Sequence, residues 1–264
     1  MNNLSYKNKE WLIEQYINQQ KSTCLIAQEC GYSQTAIYKQ LTKCDIPRRS
    51  LSEAVHLATA NRCVITLELL ERISGQLLGD AYLYPYKKYS ARLSWGQKHK
   101  EYAQYIKDTL ANLGMSSGNM HYYKNAYHFN TISYPELLPL RQKWYYYDET
   151  LKRNRKKVPR YLELTPAVCR EWHLGDGGLN HPKNGRSYIM LSTYDFPIKE
   201  VNFLVEKLNN LGFKTTRQEK HNTIYISTKS TKRFLKYIGP CPVKCYEYKW
   251  NYQDNTKNPQ IQSG

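Results

Sequence analysis

The chain has 264 residues, with 39 Lys or Arg against 22 Asp or Glu and a formal net charge of +17. A hydrophobic content of 41% with 25 Tyr and 5 Trp is enough to bury a core, which excludes a disordered or low-complexity protein. No run of about 18 apolar residues occurs and MNNLSYKNKEWLIEQYINQQ lacks the apolar stretch of a signal peptide, so neither a membrane span nor export is expected.

The basic surplus predicts a polyanionic partner, because such a charge on a compact body attracts phosphate. Its spread along the whole chain favours nucleic acid over a lipid surface, which a localised amphipathic helix would serve better. The expected setting is intracellular, in a bacterial or phage cytoplasm or an organelle. Seven cysteines, odd in number and scattered, argue against a disulfide framework. The one close pair, Cys241 and Cys245, lacks a second ligand pair to complete a zinc site.

In chain order, KNKEWLIEQYINQQ repeats Trp11, Leu12 and Tyr16 at helical spacing. Ser22 then caps a short helix that ends near Cys30, Gly31 supplies a turn, and Ser33 caps a second helix with Ile37 and Leu41 inward. This is a helix-turn-helix layout, expected over residues 1–60. Its outer face would offer Gln34, Thr35, Tyr38 and Lys39 to a major groove, with Arg48 and Arg49 following for phosphates or a narrow minor groove. The bland alternative is a three-helix cap whose polar face meets solvent.

Internal repetition organises the remainder. ISGQLLGDAYL and AVCREWHLGDGGL each carry an apolar helical stretch ending in Leu-Gly-Asp, placing Asp176 96 positions after Asp80. After each come two strands, a helix ending in Leu-Gly (Leu113-Gly114, Leu211-Gly212), two more strands and a further helix. The fold class expected is α+β: duplicated α-β-β-α-β-β-α half-domains about a pseudo-twofold axis, plus the small helical domain. The half-domains span 61–147 and 164–250, joined by a basic linker at 148–163 and followed by a polar tail at 251–264.

Helices meeting on such an axis need small residues where their backbones touch, and Ser74, Gly75, Gly79 and Gly175 supply them. One carboxylate at the end of each helix would converge on the axis. Two such carboxylates are costly together unless a cation neutralises them, which points to a shared divalent ion, Mg²⁺ rather than zinc for oxygen-only ligands.

These residues resemble the LAGLIDADG homing endonucleases of the single-chain, two-motif kind, over roughly residues 66–237. VPRYLELTPAVCREWHLGDGGL is the most specific part. The resemblance implies a saddle-shaped antiparallel sheet per half laid along the major groove, with Asp80 and Asp176 as catalytic metal ligands and the carbonyls of Gly79 and Gly175 completing the shell. It implies Mg²⁺ as cofactor, as two or three ions with one shared between the aspartates. By strand position Gln97 matches the family's polar catalytic residue and Lys229 its lysine. The sequence departs from the family at Ala81, where Gly is commoner, and at Leu174-Gly175, where a second acidic residue is frequent.

The activity implied is site-specific double-strand cleavage of a long DNA target by metal-dependent phosphodiester hydrolysis, by a monomer with internal symmetry. DNA contacts are expected from Lys88, Arg92, Lys98, Lys124, Arg186, Arg217 and Lys220 on or beside the sheets, and from Arg153 and Lys156 in the linker. The alternatives are an RNA maturase binding its host intron and a DNA-binding regulator that does not cut.

Overall fold

The computed structural model describes residues 5–86, 88–183 and 185–253, so the tail expected over 251–264 lies outside the described residues from 254 onward. The chain forms two compact units. The first comprises the chain to Val64 with Leu83–Leu93 and Ile132–Gln142; the second comprises Ile65–Tyr82, Ser94–Thr131 and the chain from Lys143.

In the first unit, helix α1 (Lys9–Leu12) begins at Asn8, whose side chain accepts from the Trp11 N–H, and widens into a π-helical turn over Ile13–Asn18. Helices α2 (Thr23–Cys30) and α3 (Gln34–Lys43) start at Ser22 and Ser33, whose hydroxyls accept from Leu25 N and Ala36 N. Gly31, at φ +73°, ends α2 in the left-handed conformation that glycine adopts without a Cβ penalty. Leu12, Tyr16, Ile26, Ala27, Ile37, Leu41 and Ile46 form one core cluster. Each larger side chain contributes about 1.5–3 kcal/mol over its exposed state. Helix α4 (Leu51–Thr59) follows.

Arg49 belongs to this core rather than to a DNA backbone, which corrects the sequence expectation. Its guanidinium lies 3.9 Å from the Tyr16 ring centroid, donates to Lys21 O at 2.6 Å and also donates to Tyr16 O. Two carbonyls left without helical partners near the end of the first helical segment attract the nearest cation, and the ring face holds it there. Further along this unit, Ala91 and Tyr134 exchange both backbone hydrogen bonds, and Arg62 pairs with Glu136 while donating to Gln19 O at 3.0 Å. The helical extension is thereby fastened to Leu83–Leu93 and Ile132–Gln142, a packing that the linear pattern did not announce.

Ten strands are described: β1 (Tyr82–Tyr86), β2 (Ser90–Gln97), β3 (His121–Tyr123), β4 (Ala126–Asn130), β5 (Tyr145–Asp148), β6 (Arg153–Lys156), β7 (Gly177–Asn180), β8 (Tyr188–Leu191), β9 (Thr215–Gln218) and β10 (Thr223–Ile226). The duplication is visible in the strand orders, β1-β2-β4-β3 in one four-stranded sheet and β7-β8-β10-β9 in the other. β8 and β10 pair antiparallel with Ile224 opposite Leu191, and both strands alternate partly buried with buried positions. Ile189, Leu191, Ile224 and Ile226 therefore face inward, and Tyr188 and Tyr225 share the other face. In the first sheet Trp95 pairs with Phe129, ring on ring at 4.9 Å.

Helices α6 (Lys100–Asn112) and α9 (Ile198–Asn210) are the matching second helices. Each is followed by a glycine at φ +84°, Gly114 and Gly212. The third helices are α7 (Leu137–Trp144) and α10 (Thr228–Ile238). The linker is not a plain basic loop. β5 and β6 form an antiparallel hairpin in register from Tyr145 with Lys156 to Asp148 with Arg153, and the Asp148 carboxylate holds its turn by accepting from Thr150 N and Leu151 N.

Helices α5 (Leu67–Leu78) and α8 (Pro166–Asp176) are the repeated pair. Each starts at a threonine, Thr66 or Thr165, whose hydroxyl accepts the N–H three residues on. They approach closely at Gly75, where a Cβ would come within 2.5 Å of Val168 O and 2.6 Å of Glu171 Cβ. Beside this contact Glu171 is 2% exposed and accepts from Arg72 Nη1 at 2.7 Å, Gln76 Nε2 at 2.8 Å and the Tyr105 hydroxyl at 2.8 Å. A buried carboxylate tolerates desolvation only when its lone pairs are occupied in this way.

Candidate active site

The second unit contains every group in the candidate site. Helices α5 and α8 end side by side. A Cβ built on Gly79 would lie 3.4 Å from Gly175 Cα, and one on Gly175 would lie 3.3 Å from Asp80 N and 3.4 Å from Asp80 Oδ2. Backbone meets backbone at this point, and the Asp80 carboxylate lies against the other helix end. Asp80 is exposed and Asp176 partly buried. Burial, and next the Asp80 charge, push the Asp176 carboxyl up to about 7, opposed by Lys156 and Lys249.

Gln97, at the end of β2 and 2% exposed, donates from Nε2 to Asp80 Oδ2 at 3.1 Å, the position the family resemblance implied. Its strand is held by Trp95, whose indole donates to Gln76 Oε1 at 2.9 Å, so helix α5 carries both the aspartate and the anchor of the strand facing it. In the second half the β7–β8 ladder is extended by Ser192 N donating to Asp176 O at 2.9 Å. The nearby Thr193, 1% exposed, donates to Asn222 O rather than to a carboxylate. The two halves thus differ in their polar residue.

Two lysines reach the aspartate pair, and neither is Lys229. Lys156, the last residue of β6, donates from Nζ to Leu77 O at 2.8 Å and Gly79 O at 2.9 Å. Lys249, at the end of the 3-10 segment Lys244–Lys249, donates to Leu174 O at 2.6 Å and Gly175 O at 3.2 Å. Each ammonium occupies the carbonyl end of a motif helix, where orphan C=O groups and the helix dipole favour a cation. Burial draws both lysines down to about 8, against the pull of Asp80 and Asp176.

Lys156 therefore replaces its expected phosphate contact with an inward one. Lys229 is exposed near the start of α10 and is not among the charges acting on Asp176. Lys249 was missed by the sequence reading. A signal existed: both lysines follow the third helix of their half, 76 positions after Asp80 and 73 after Asp176. Both lysines lie beyond the last element that the two copies share in sequence.

Thr35, Tyr38, Lys39 and Arg48 are exposed on or just after α3, while Gln34 donates to Thr23 Oγ1 at 2.9 Å and so ties α3 to α2. Lys88 and Lys124 lie in turns over the rings of Tyr89 and Tyr123, and Arg92 over Tyr86. Lys98, Arg153, Arg186 and Lys220 are exposed, and Arg217 faces Glu219 at 3.7 Å.

The donors fit a hard divalent cation. Two carboxylates and the carbonyls of Gly79 and Gly175 are all oxygen, and each carbonyl has a second lone pair beyond the one its lysine takes. Among the described residues no group of three or more His, Cys, Asp or Glu is placed to hold a metal ion.

Fold and site together are a duplicated helix–sheet unit with one carboxylate where each repeated helix ends. Residues 70–234, more than half of the chain, match the LAGLIDADG DNA endonuclease family, and the chain belongs to that family. It is 26% identical over 261 residues to the uncharacterized protein MJ1098 of Methanocaldococcus jannaschii, covering 90% of this chain and 97% of that one. Its fold is similar to that of the homing endonuclease I-WcaI, solved bound to its DNA recognition sequence, with a TM-score of 0.59 and 21% identity over 78% of this chain and 95% of the other. The N-terminal LAGLIDADG domain of DUF199/WhiA is similar at a TM-score of 0.46 and 14% identity over 74% of this chain and 96% of that domain. Among the described residues no helix is long and apolar enough to cross a membrane.

Proposed function

We propose that the protein is a site-specific homing endonuclease that makes a double-strand break in DNA by divalent-metal-dependent phosphodiester hydrolysis, acting as a monomer. The observation that carries this reading is the abutment of Gly79 and Gly175, which brings Asp80 and Asp176 together between the ammoniums of Lys156 and Lys249. A protein that only bound DNA would gain nothing from two carboxylates facing phosphates.

Asp80, Asp176 and the carbonyls of Gly79 and Gly175 would hold Mg²⁺, as two or three ions with one shared. When bound there, such a cation would acidify a water and offset charge on the leaving oxygen. Gln97 orients Asp80 through its Nε2–H. Lys156 Nζ and Lys249 Nζ, pre-placed on fixed backbone, place one positive charge near each scissile phosphate, where charge grows in the transition state. The exposed basic residues of both sheets bind phosphate and set the register. Thr35, Tyr38, Lys39 and Arg48 on the N-terminal helical unit extend the contacted site in helix-turn-helix fashion.

The test is cleavage of a plasmid carrying the uninterrupted host site in Mg²⁺, comparing wild type with D80N and D176N. Linear product is expected from wild type alone. A wild-type protein that binds this site tightly without cutting it, or that prefers the intron RNA, would replace the nuclease reading with a regulator or a maturase. Deletion of residues 1–60 is expected to shorten the DNA footprint, and an unchanged footprint removes the helix-turn-helix from the binding surface.

A further inference from the structure

The two lysines are held in different ways. Lys156 ends a hairpin strand, paired across the ladder with Tyr145, and Lys157 N continues onto Trp144 O at 2.8 Å. Its backbone is fixed by regular pairing. Lys249 has no ladder, because it closes a 3-10 segment whose start is pinned by Lys244 N and Cys245 N donating to the Glu101 carboxylate at 2.7 and 3.0 Å.

At the lysine itself His173, fully buried, anchors the main chain, its Nε2 lying 3.1 Å from Lys249 O. A carbonyl only accepts, so Nε2 carries the proton and the ring is the neutral Nε2–H form. His173 Nδ1 is then a buried atom without a partner. Such an atom is retained against its desolvation cost where the other nitrogen has a task. The ring is further clamped by Trp250 at 4.7 Å and Phe234 at 6.0 Å, both edge-on, and Trp250 donates to Gly239 O at 2.8 Å. Gly177 leaves the space: a Cβ there would fall 2.1 Å from His173 Nδ1. The equivalent position in the first motif helix is Leu77, which cannot donate.

We infer that His173 is a positioning residue that fixes the Lys249 main chain through its Nε2–H, and so aims the Lys249 ammonium at the Gly175 end of the aspartate pair. The first half needs no counterpart because its hairpin does the same work. His173 acts on one of the two half-sites and therefore on one of the two DNA strands. The kinetic part of this inference rests on the endonuclease reading; the placement of Lys249 does not.

Two measurements test it, on the full-length protein. In the first, lysine amines are labelled by reductive methylation without metal or DNA and mapped by mass spectrometry. Lys249 and Lys156 are both expected to be protected in wild type. In H173M, which fills the pocket but lacks the donor, Lys249 labelling should rise severalfold while Lys156 stays protected. H173Q, whose side-chain amide carries a donor at nearly the same place, should restore protection.

In the second, strand-resolved cleavage of end-labelled duplex in Mg²⁺ should show H173M slowing one strand by about ten- to a hundredfold, the loss that goes with about 1 Å of misplacement. It should be the strand that K249M slows, so that nicked intermediate accumulates, and H173Q should cut both strands. A purely structural role would lower both strands and the labelling protection of both lysines together, and that result, or wild-type behaviour of H173M in both assays, overturns the inference. If wild type cuts no DNA, the endonuclease reading fails and the labelling pattern alone decides the role of His173.

Discussion

Replacing Asp176 by Asn should make the protein more stable and inactive at the same time. The Asp176 carboxyl rises from an ordinary 3.8 to about 7, first through burial and next through the charge of Asp80. Each pH decade of that difference is worth about 1.4 kcal/mol, so ionised Asp176 costs the folded protein at most about 4 kcal/mol. The pair opens to solvent at Asp80 and leans on two lysines that the mutation leaves less well matched, which brings the expected gain to about 2 kcal/mol.

The sign follows from linkage. With the folded value above the unfolded one, the folded state binds more protons between about pH 4 and 7, so the cost grows as pH rises through that window. It is full above pH 7 and absent below pH 4. Thermal unfolding in EDTA should therefore place D176N about 4–8 °C above wild type at pH 8, with the gap closing towards pH 4. Excess Mg²⁺ at pH 8 should raise the melting temperature of wild type and leave D176N nearly unmoved. A D176N melting temperature at or below wild type at pH 8, or a gap independent of pH, would refute the idea that the two carboxylates repel each other in a partly dry site.

Gly75→Ala should lose about 2 kcal/mol, because the clash of the new Cβ with Val168 O outweighs a helix-propensity gain of about 1 kcal/mol; an unchanged denaturant midpoint would show that α5 and α8 can part freely. Arg49→Ala should loosen the N-terminal unit by about 2 kcal/mol, seen as faster amide exchange over Tyr16–Lys21, since both carbonyls lose a charged donor. Lys229→Ala should cut DNA within about twofold of wild type, whereas K249M should slow one strand about a hundredfold; the reverse ranking would return the catalytic lysine to α10.

The repeat was legible because both motif helices lead into the same Leu-Gly-Asp and are followed by the same order of elements, and hydrophobic periodicity and Leu-Gly turns are local features. The aspartate pair was legible for the same reason: a residue at the end of each duplicated helix inherits the symmetry of the duplication. Gln97 came from the family resemblance together with strand position, and its amide donates to Asp80.

What only the tertiary structure decided are the groups that arrive from elsewhere in the chain. Lys156 and Lys249 come from a hairpin and a 3-10 segment that carry no motif, and their ammoniums enter the site because orphan carbonyls at two helix ends draw them in. Glu171 is one residue in a helix until Arg72, Gln76 and Tyr105 close around it, and Arg49 reads as a surface cation until Tyr16 and the carbonyls take it inward. By itself the sequence determined the repeated scaffold and its two acids, since local patterns encode both. The positions of the cations around those acids depended on long-range packing, because a charge in a segment without a sequence motif goes wherever the folded backbone leaves oxygen unpaired.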